Sequence, residues 1–365
     1  MKAIVVRPGE PDSIHMRDMP DPVMRPGEVA VRTLRVGLCA TDAEINEGLF
    51  GHPPAGEEFL ILGHENLGVV EDVGRKVTGW KRGDVVVSSV RRPCGVCPNC
   101  RAGENDMCSS GRYTERGIMR RHGFMAEYYV ESPGFLFRIP RSIRDVAVLL
   151  EPMSIVEKGI DHAWRLQRRL LWKPRFAMVL GAGPIGLLAA AVLRARGLRT
   201  VVVAREAPED SRARLAGQLG AEYVSVADVP LLTLTQTIGR PDLIIEATGS
   251  ARVVFAAMEM LALNGVLCLL SVTSGRGVAE EPIERINQQL VLGNRVVFGS
   301  VNANLRHFAM GVKDFVAIEK KRPGVLGRLI TTRLPWTDHQ QWFSKRTTGI
   351  KTVLDITDRG LPITG

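Results

Sequence analysis

Four closely spaced cysteines are the strongest chemical signal in this 365-residue sequence. Successive gaps of two, two and seven residues separate Cys94, Cys97, Cys100 and Cys108. Four thiolates complete a tetrahedral zinc site and leave no open coordination position, so such a site is structural. The alternatives are free thiols or an iron–sulfur cluster, whose ferredoxin spacing ends in a shorter gap followed by proline. The spacing therefore favours a structural zinc ion that orders the surrounding loop.

A glycine-rich turn indicates a second kind of chemistry, the binding of phosphate. An apolar run at 176–180 leads into a G-x-G-x-x-G pattern and then into a segment of helical length. In this pattern the glycines allow a tight turn, a close approach of pyrophosphate to the backbone, and packing of the helix on the strand. The helix N-terminus offers free N–H groups to the phosphates. The predicted dinucleotide-binding residues are Gly181, Gly183, Pro184, Ile185 and Gly186.

The residues that follow the next predicted strand select between NAD and NADP. An acidic residue there binds the ribose 2′-hydroxyl of NAD, whereas arginine can bind the 2′-phosphate of NADP. Ala204 stands where the acid is expected, and Arg205 follows it. Arg205 is therefore the predicted NADP ligand, although Glu206 keeps the use of NAD open and Arg205 could be an ordinary surface charge. We expect NADP to be preferred, with NAD possible as well.

Two patterns of secondary structure surround these motifs. Residues 1–90 contain short β-like runs broken by Gly and Pro, which is typical of an antiparallel barrel or sandwich. Residues 91–122 are expected to form a loop. From about residue 158, apolar strands alternate with helix-length segments, as in the βαβ units of a parallel sheet. The predicted elements of this part are 177–180, 184–196, 200–204, 209–219, 243–246, 266–270 and 296–299.

The overall composition restricts the partners of the chain. The 48 Lys and Arg residues exceed the 39 Asp and Glu residues, giving a formal charge of +9, but aromatic residues make up only 5%. Because the positive charges are scattered and stacking residues are few, we expect no nucleic-acid partner. The uncharged stretch 176–193 contains the glycine-rich turn, so a strand and helix are favoured over a membrane span. No signal peptide is recognised, and clustered thiols are typical of the reducing cytoplasm, where we expect this protein.

A third group of motifs resembles a known family. Cys39, His64 and Glu65 are unspecific by themselves, because single cysteines and histidines are often structural. Together with G-H-E-x2-G-x-V-x2-V-G at 63–74, the four cysteines and the glycine-rich turn, they resemble the zinc-dependent medium-chain dehydrogenase/reductase superfamily. A closer resemblance, to the archaeal-type glucose dehydrogenases, lies in the segments 114–118, 122–125, 138–140, 150–158 and 299–302.

The resemblance implies an α/β architecture with two domains. A GroES-like β-barrel catalytic domain would comprise residues 1–157, with the zinc lobe at 91–112, and residues 302–365. A Rossmann domain with a doubly wound parallel sheet would comprise residues 158–301, and the active site would lie in the cleft between the domains. The resemblance also implies a homotetramer or a homodimer.

The same resemblance implies the ligands of a catalytic zinc ion. Cys39, His64 and Glu151 match the ligand positions, and Glu65 stands beside them. Three protein ligands leave the open position that catalysis requires. Glu151 could instead be an ordinary residue at a helix start. Thr41, two residues after Cys39, would accept the proton of the substrate.

The implied reaction is the oxidation of an aldose, D-glucose foremost, at C1 to the lactone with hydride transfer to NADP or NAD. Zinc as a Lewis acid stabilises a developing alkoxide. The substrate residues implied by resemblance are Glu115, Asn302 and Glu151. Two alternatives stay open: another polyol, alcohol or threonine dehydrogenase of this superfamily, or a non-catalytic dinucleotide-binding zinc protein.

Overall fold

Strands occur along most of the chain, from Lys2 to Asp355. The computed structural model describes residues 1–227, 229–273, 282–344 and 349–356. In chain order the strands are β1 (Lys2–Val6), β2 (His15–Asp18), β3 (Val29–Gly37), β4 (Leu60–Ile61), β5 (Glu65–Val73), β6 (Val85–Ser88), β7 (Arg91–Arg92), β8 (Thr114–Arg116), β9 (Arg120–Arg121), β10 (Tyr128–Glu131), β11 (Leu136–Arg138), β12 (Phe176–Leu180), β13 (Arg199–Ala204), β14 (Glu222–Ser225), β15 (Leu243–Glu246), β16 (Val266–Leu269), β17 (Val296–Gly299), β18 (Ile330–Pro335) and β19 (Lys351–Asp355).

The longer helices lie mainly in the second half of the chain. In chain order the helices are α1 (Ala40–Asn46), α2 (Pro98–Arg101), α3 (Leu150–Leu166), α4 (Pro184–Ala195), α5 (Ser211–Gln218), α6 (Leu234–Thr237), α7 (Ala251–Met260), α8 (Ile283–Leu292), α9 (Leu305–Lys321) and α10 (His339–Ser344). None of these helices is long and apolar enough to cross a membrane. The uncharged stretch at 176–193 forms β12, the glycine-rich turn and most of α4.

The chain forms two compact units. The first contains Met1–Glu151, Asn302–Val312 and the described part of Ile330–Gly365. The second contains Pro152–Val301 and Lys313–Leu329. The predicted domain limits at 157/158 and 301/302 remain predictions.

The main sheet of the first unit is built around β3. Its strand order is β11-β6-β5-β3-β19-β18, and β10 also pairs with β3. Buried and half-buried residues alternate over the first part of β3, because successive side chains of a strand point to opposite faces. Val29 and Val31 therefore enter a core that also contains residues from β1 and Leu354 of β19. This core fixes the ends of β3 and β5, where the candidate metal ligands stand.

The segment 91–122 is more ordered than the sequence indicated. It contains α2 and the small sheet β7-β8-β9, in addition to the four cysteines. The prediction of a plain loop was wrong because strands of two or three residues are too short to show a hydrophobic period.

The second unit contains a six-stranded parallel sheet in the order β14-β13-β12-β15-β16-β17. Counted within the unit this is the order 3-2-1-4-5-6 of a doubly wound dinucleotide-binding sheet. All five residues of β12 are buried, as expected for a central parallel strand that is covered on both faces. The reversal of strand order falls between β12 and β15, and ligands of such sheets bind at this switch point.

Most element limits in this unit lie within two residues of those predicted. One difference is α5, which begins at Ser211 rather than at 209. Asp210 caps this helix, because its carboxylate accepts a hydrogen bond of 2.8 Å from the backbone N–H of Arg212.

Candidate active site, zinc lobe and dinucleotide site

The four clustered cysteines form a compact tetrad in the first unit. The Sγ atoms of Cys94 and Cys100 are 3.8 Å apart, and those of Cys97 and Cys108 are 3.9 Å apart. All four Sγ atoms lie within 4.8 Å of one another. A regular tetrahedron with Zn–S bonds of about 2.3 Å has edges of about 3.8 Å. The tetrad therefore fits a closed zinc site.

Hydrogen bonds prepare two of these thiols for metal binding. The backbone of Cys100 lowers the pKa of the Cys97 thiol to about 5. The Ser110 hydroxyl is the main cause that lowers the pKa of Cys108 to about 7. Burial instead raises the pKa of Cys100 to about 12, so this ligand releases a proton when a metal binds.

The second candidate metal site lies where β3 ends beside the start of β5. In their antiparallel register Gly37 is the partner of Glu65. Cys39 follows β3 at the N-terminus of α1, and His64 directly precedes β5. One ligand atom each of Cys39, His64 and Glu65 lies within 4.8 Å of the other two. A thiolate, an imidazole and a carboxylate suit a catalytic zinc ion.

Asp42 links two members of this cluster and was missed by the sequence prediction. Its Oδ2 accepts a hydrogen bond of 2.9 Å from the backbone N–H of Cys39. Its Oδ1 lies 3.4 Å from Nδ1 of His64. Although burial opposes the charged ring, Asp42 and Cys39 raise the pKa of His64 well above its ordinary value. A carboxylate behind a ligand histidine orients the ring toward the metal, and a Cys-x-x-Asp spacing at a helix start was the available signal.

Lys351 of β19 is the other unforeseen residue. It is buried, and its Nζ donates a hydrogen bond of 2.5 Å to Oε1 of Glu65. The carboxylate grouped with Cys39 and His64 is therefore also held by a buried ammonium group. A single sequence gives no signal for the role of this lysine, because it reaches Glu65 only through the pairing of strands that are far apart in the chain.

Glu151 lies in the first turn of α3 and interacts electrostatically with the same cluster. Burial raises the pKa of Glu151 to about 7; His64 opposes this shift and Glu65 adds to it. Its carboxylate does not belong to the group of ligand atoms within 4.8 Å, so its role as third ligand stays a prediction. Thr41 is half-buried in α1, with Oγ1 4.0 Å from Sγ of Cys39.

Two of the three predicted substrate residues meet in the first unit. Nδ2 of Asn302 donates a hydrogen bond to Oε1 of Glu115. Arg91 holds the same oxygen through Nε at 3.0 Å and Nη2 at 2.8 Å. Glu115 is buried, and the alternative of a solvated loop acid does not fit this environment. The three side chains present a fixed set of donors and acceptors, as the recognition of hydroxyl groups requires.

The glycine-rich turn of the second unit has the backbone geometry that its sequence predicts. Gly181 has φ +107°, and a Cβ there would lie 2.9 Å from the carbonyl oxygen of Ala247. A Cβ on Gly186 would lie 2.0 Å from the carbonyl oxygen of Gly181, so the helix could not pack on the turn. Gly183 precedes α4 and has open space at its Cβ position. The turn therefore fits the pyrophosphate of a dinucleotide at a helix N-terminus.

Two charged residues follow β13, and they differ in whether other residues of the protein bind them. Arg205 is exposed, and in the described part of the chain its guanidinium makes no hydrogen bond. Glu206 instead pairs with Nη1 of Arg212 at 3.4 Å, and its backbone oxygen accepts a 2.8 Å hydrogen bond from Tyr223. Glu206 is thus held by the protein itself, whereas Arg205 is available to a ligand.

Glu246 ties together two loops beside the glycine-rich turn and was not predicted as a site residue. It is fully buried at the end of β15. Its Oε1 accepts hydrogen bonds of 2.6 Å from the N–H of Thr248 and of 3.2 Å from that of Gly249. Its Oε2 accepts a hydrogen bond of 2.5 Å from Ser271. The methyl group of Thr248 and the carbonyl of Ala247 form the surface that Gly181 contacts.

Comparisons with known proteins agree with both halves of this description. Residues 25–141 match the family described as alcohol dehydrogenase GroES-like domain, and residues 144–356 match glucose dehydrogenase C-terminus. The glucose 1-dehydrogenase of Methanocella arvoryzae is 44% identical over 98% of this chain and 99% of its own. That of Thermoproteus tenax is 39% identical with the same coverage of both chains. The structure of Haloferax mediterranei glucose dehydrogenase in complex with NADP, Zn and gluconolactone has a TM-score of 0.88 at 35% identity, covering 98% of this chain and 100% of that one.

A GroES-like domain combined with a Rossmann sheet is the architecture of the medium-chain dehydrogenases and reductases, which confirms the predicted fold class. The chain belongs to the glucose dehydrogenase family within this superfamily.

Proposed function

We propose that this protein is a zinc-dependent glucose 1-dehydrogenase that oxidises D-glucose at C1 to the lactone and reduces NADP, with NAD as a second acceptor. The observation that carries the proposal is the cluster of Cys39, His64 and Glu65 in a chain that matches glucose dehydrogenases over almost its whole length. The similar enzyme of Haloferax mediterranei was solved with NADP, zinc and the lactone.

In this proposal Cys39, His64 and Glu151 hold a catalytic zinc ion, with Glu65 beside them, and Cys94, Cys97, Cys100 and Cys108 hold a structural one. When bound, the catalytic zinc supplies Lewis-acid stabilisation of negative charge at the C1 oxygen. Asp42 orients the His64 ring and Lys351 holds the Glu65 carboxylate. The closed tetrad stabilises its lobe and takes no part in the reaction.

The chemical task of the protein at C1 is to remove the hydroxyl proton while the hydride leaves. The C1–H bond breaks with its electron pair going to the dinucleotide, the O–H bond loses its proton, and the C=O bond of the lactone forms. Thr41 accepts that proton at Oγ1 and releases its own hydroxyl proton onward to solvent, because it stands beside the ligand Cys39. Glu115 and Asn302 bind hydroxyl groups of the sugar and fix the orientation of C1.

The second unit binds the dinucleotide. Gly181, Gly183, Pro184, Ile185 and Gly186 form the turn that receives the pyrophosphate at the start of α4. Arg205 binds the 2′-phosphate of NADP, because guanidinium groups pair strongly with phosphate. Since Glu206 is paired with Arg212, it competes weakly for the ribose of NAD.

Initial-rate measurements test this function directly. We expect turnover of glucose with NADP, slower turnover with NAD, and loss of both after prolonged treatment with a chelator, with recovery on addition of Zn²⁺. Galactose and xylose define the range of aldoses, and threonine and simple alcohols serve as comparisons. Turnover of an alcohol or threonine but of no aldose would overturn the proposal.

We also propose an oligomeric state and a cellular location for this protein. A homotetramer or homodimer is expected from the family resemblance, and light scattering coupled to size-exclusion chromatography measures it. A cytoplasmic location is expected because the four free thiols of the tetrad must stay reduced to bind zinc. Cell fractionation tests this location.

A further inference from the structure

A cavity in the first unit has none of the proposed active-site residues in its wall. Its volume is about 480 Å³, within the range of about 300–1,000 Å³ typical of small-ligand sites. Its lining includes apolar groups of Met19, Pro20, Pro22 and Tyr128. It also includes Arg116, Arg120, Arg121 and His122. The wall thus combines apolar groups with a concentration of guanidinium groups.

The positive charge beside this cavity is only partly neutralised. Glu131 is fully buried, and its carboxylate receives hydrogen bonds from both Arg92 and Arg116. Nη2 of Arg121 lies 3.8 Å from the same carboxylate, beyond hydrogen-bond distance. A single buried carboxylate therefore faces three guanidinium groups. Buried positive charge in excess is costly unless an anion accompanies it.

Of the three guanidinium groups that face Glu131, that of Arg121 makes no hydrogen bond within the described residues. Its Nε is buried and has no partner among the described residues, although its side chain is 38% exposed overall. Burial and then the neighbouring charge of Arg116 lower the pKa of Arg121, and the charges of Glu131 and Glu28 oppose this shift only in part. The adjacent Arg120 is exposed, and its side chain makes no hydrogen bond in the described part of the chain.

The acidic groups nearby do not satisfy Arg121. Oε2 of Glu57 accepts a 2.8 Å hydrogen bond from Nε2 of His122, and burial lowers the pKa of that histidine. Glu28 acts on Arg121 only through its electrostatic field. The donors of Arg121 and Arg120 therefore remain for a ligand.

We propose that this cavity binds a small organic phosphate with a flat ring, such as a mononucleotide. Arg121 and Arg120 hold the phosphate, since the planar guanidinium fork matches two phosphate oxygens. The ring lies against the lining residues Tyr128, Met19 and Pro20. This site is independent of the proposed dehydrogenase function.

Calorimetric titration with AMP tests the proposal on the zinc-loaded protein saturated with NADP, so that the dinucleotide site is already filled. We expect one AMP to bind per chain, and Arg121→Gln to weaken binding about tenfold or more, because a charge-assisted hydrogen bond is lost. Arg120→Gln is expected to weaken binding as well. Arg75→Gln removes the same charge from an exposed position outside the cavity and should leave the affinity within about twofold.

Controls separate the ligand site from general charge effects. Thermal unfolding and NADP binding of Arg121→Gln should match the parent protein; if this variant does not fold, Arg120→Gln and Tyr128→Ala decide. Inorganic phosphate should bind more weakly than AMP, because it has no ring to contact the apolar lining residues. Absence of AMP binding, equal affinity in Arg121→Gln and Arg75→Gln, or equal affinity for inorganic phosphate and AMP would each overturn the proposal.

Discussion

At the scale of single residues, the candidate catalytic site requires a glycine at the end of β3. Gly37 is the β3 partner of Glu65, and a Cβ at Gly37 would lie 2.1 Å from Oε2 of that carboxylate. No real contact is that short, so any larger residue would displace the carboxylate from Cys39 and His64. The missing side chain at the end of β3 is what allows an acidic group to lie beside the metal ligands.

Gly37→Ala should therefore lower the content of catalytic zinc and reduce kcat by about tenfold or more, as expected for a displaced group in a catalytic metal site. Zinc analysis and initial rates measure the two effects. Gly27→Ala is the matched control, because a Cβ at Gly27 meets nothing within 4 Å. Equal zinc content and rates in the two variants would show that the Glu65 carboxylate is not needed in its present place.

The two cysteine sites should respond differently to substitution. Cys39→Ala removes a ligand from the open site, so we expect loss of activity with a nearly unchanged melting temperature. Cys97→Ala breaks the closed tetrad, so we expect a lower melting temperature and loss of one zinc ion. Differential scanning calorimetry and zinc analysis distinguish them. Equal thermal stability of both variants with activity lost in both would contradict this division.

Arg205→Ala should reduce kcat/KM for NADP by about tenfold or more and leave that for NAD within about threefold, because only NADP carries the 2′-phosphate. Initial rates with both dinucleotides give the ratio. Arg252→Ala, another exposed arginine of the second unit, is the control and should change neither value. An unchanged ratio in Arg205→Ala would place the 2′-phosphate elsewhere.

At the scale of elements, the hydrophobic pattern predicted the six-stranded parallel sheet well and the small sheet of β7, β8 and β9 poorly. Strands such as 243–246 are continuous apolar runs between turn residues, so their limits match those of β15. The strands β7, β8 and β9 have no apolar period, and 91–122 was wrongly assigned to a loop. Motif spacing located the tetrad and the glycine-rich turn. It could not reveal Lys351 or Asp42, because their roles arise from strand pairing and helix capping in three dimensions.

The carboxylate of Glu246 joins the loops that follow β15 and β16. We expect this link to hold the loop after β15 in place for binding of the dinucleotide. Glu246→Gln replaces one acceptor oxygen by a donor that faces other donors, and the loop carrying Thr248 should loosen. Because this loop contacts Gly181, we expect KM for NADP to rise severalfold with kcat changed less. Hydrogen exchange at 247–250 should increase.

A purely structural defect would give a different result. It would lower the melting temperature and reduce kcat with all substrates. KM for NADP would not rise specifically. Glu209→Gln, an exposed acid in the same unit, should leave all these values unchanged.

At the scale of the whole molecule, acid stability should depend on Glu131. Although burial opposes ionisation, Arg116 and then Arg92 lower the pKa of Glu131 to about 2. A carboxyl whose pKa is lower in the folded state stabilises that state above the unfolded pKa, near 4.5, and the contribution is lost as the pH falls toward 2. The size of such a contribution is on the order of 3 kcal/mol.

Glu131→Gln should therefore destabilise the protein at pH 7 and flatten the fall of stability between about pH 4.5 and pH 2. Urea unfolding across this range measures both. Glu222→Gln breaks the exposed pair with Arg199 and should have only a small effect, because exposed ion pairs contribute little. A parallel pH profile of Glu131→Gln and the parent protein would contradict this assignment.

The position of β19 inside the main sheet of the first unit has a consequence for biosynthesis. Val353, Leu354 and Asp355 pair with the end of β3, and Arg35 and Asp355 are 320 residues apart in the chain. At about 5–20 residues per second the ribosome needs on the order of 16–60 s to make the intervening chain. By then every strand of the parallel sheet of the second unit has been translated, while Glu65 still lacks Lys351. The first unit of the nascent protein is therefore completed last, and the Glu65 carboxylate gains its buried partner only after β19 has been translated.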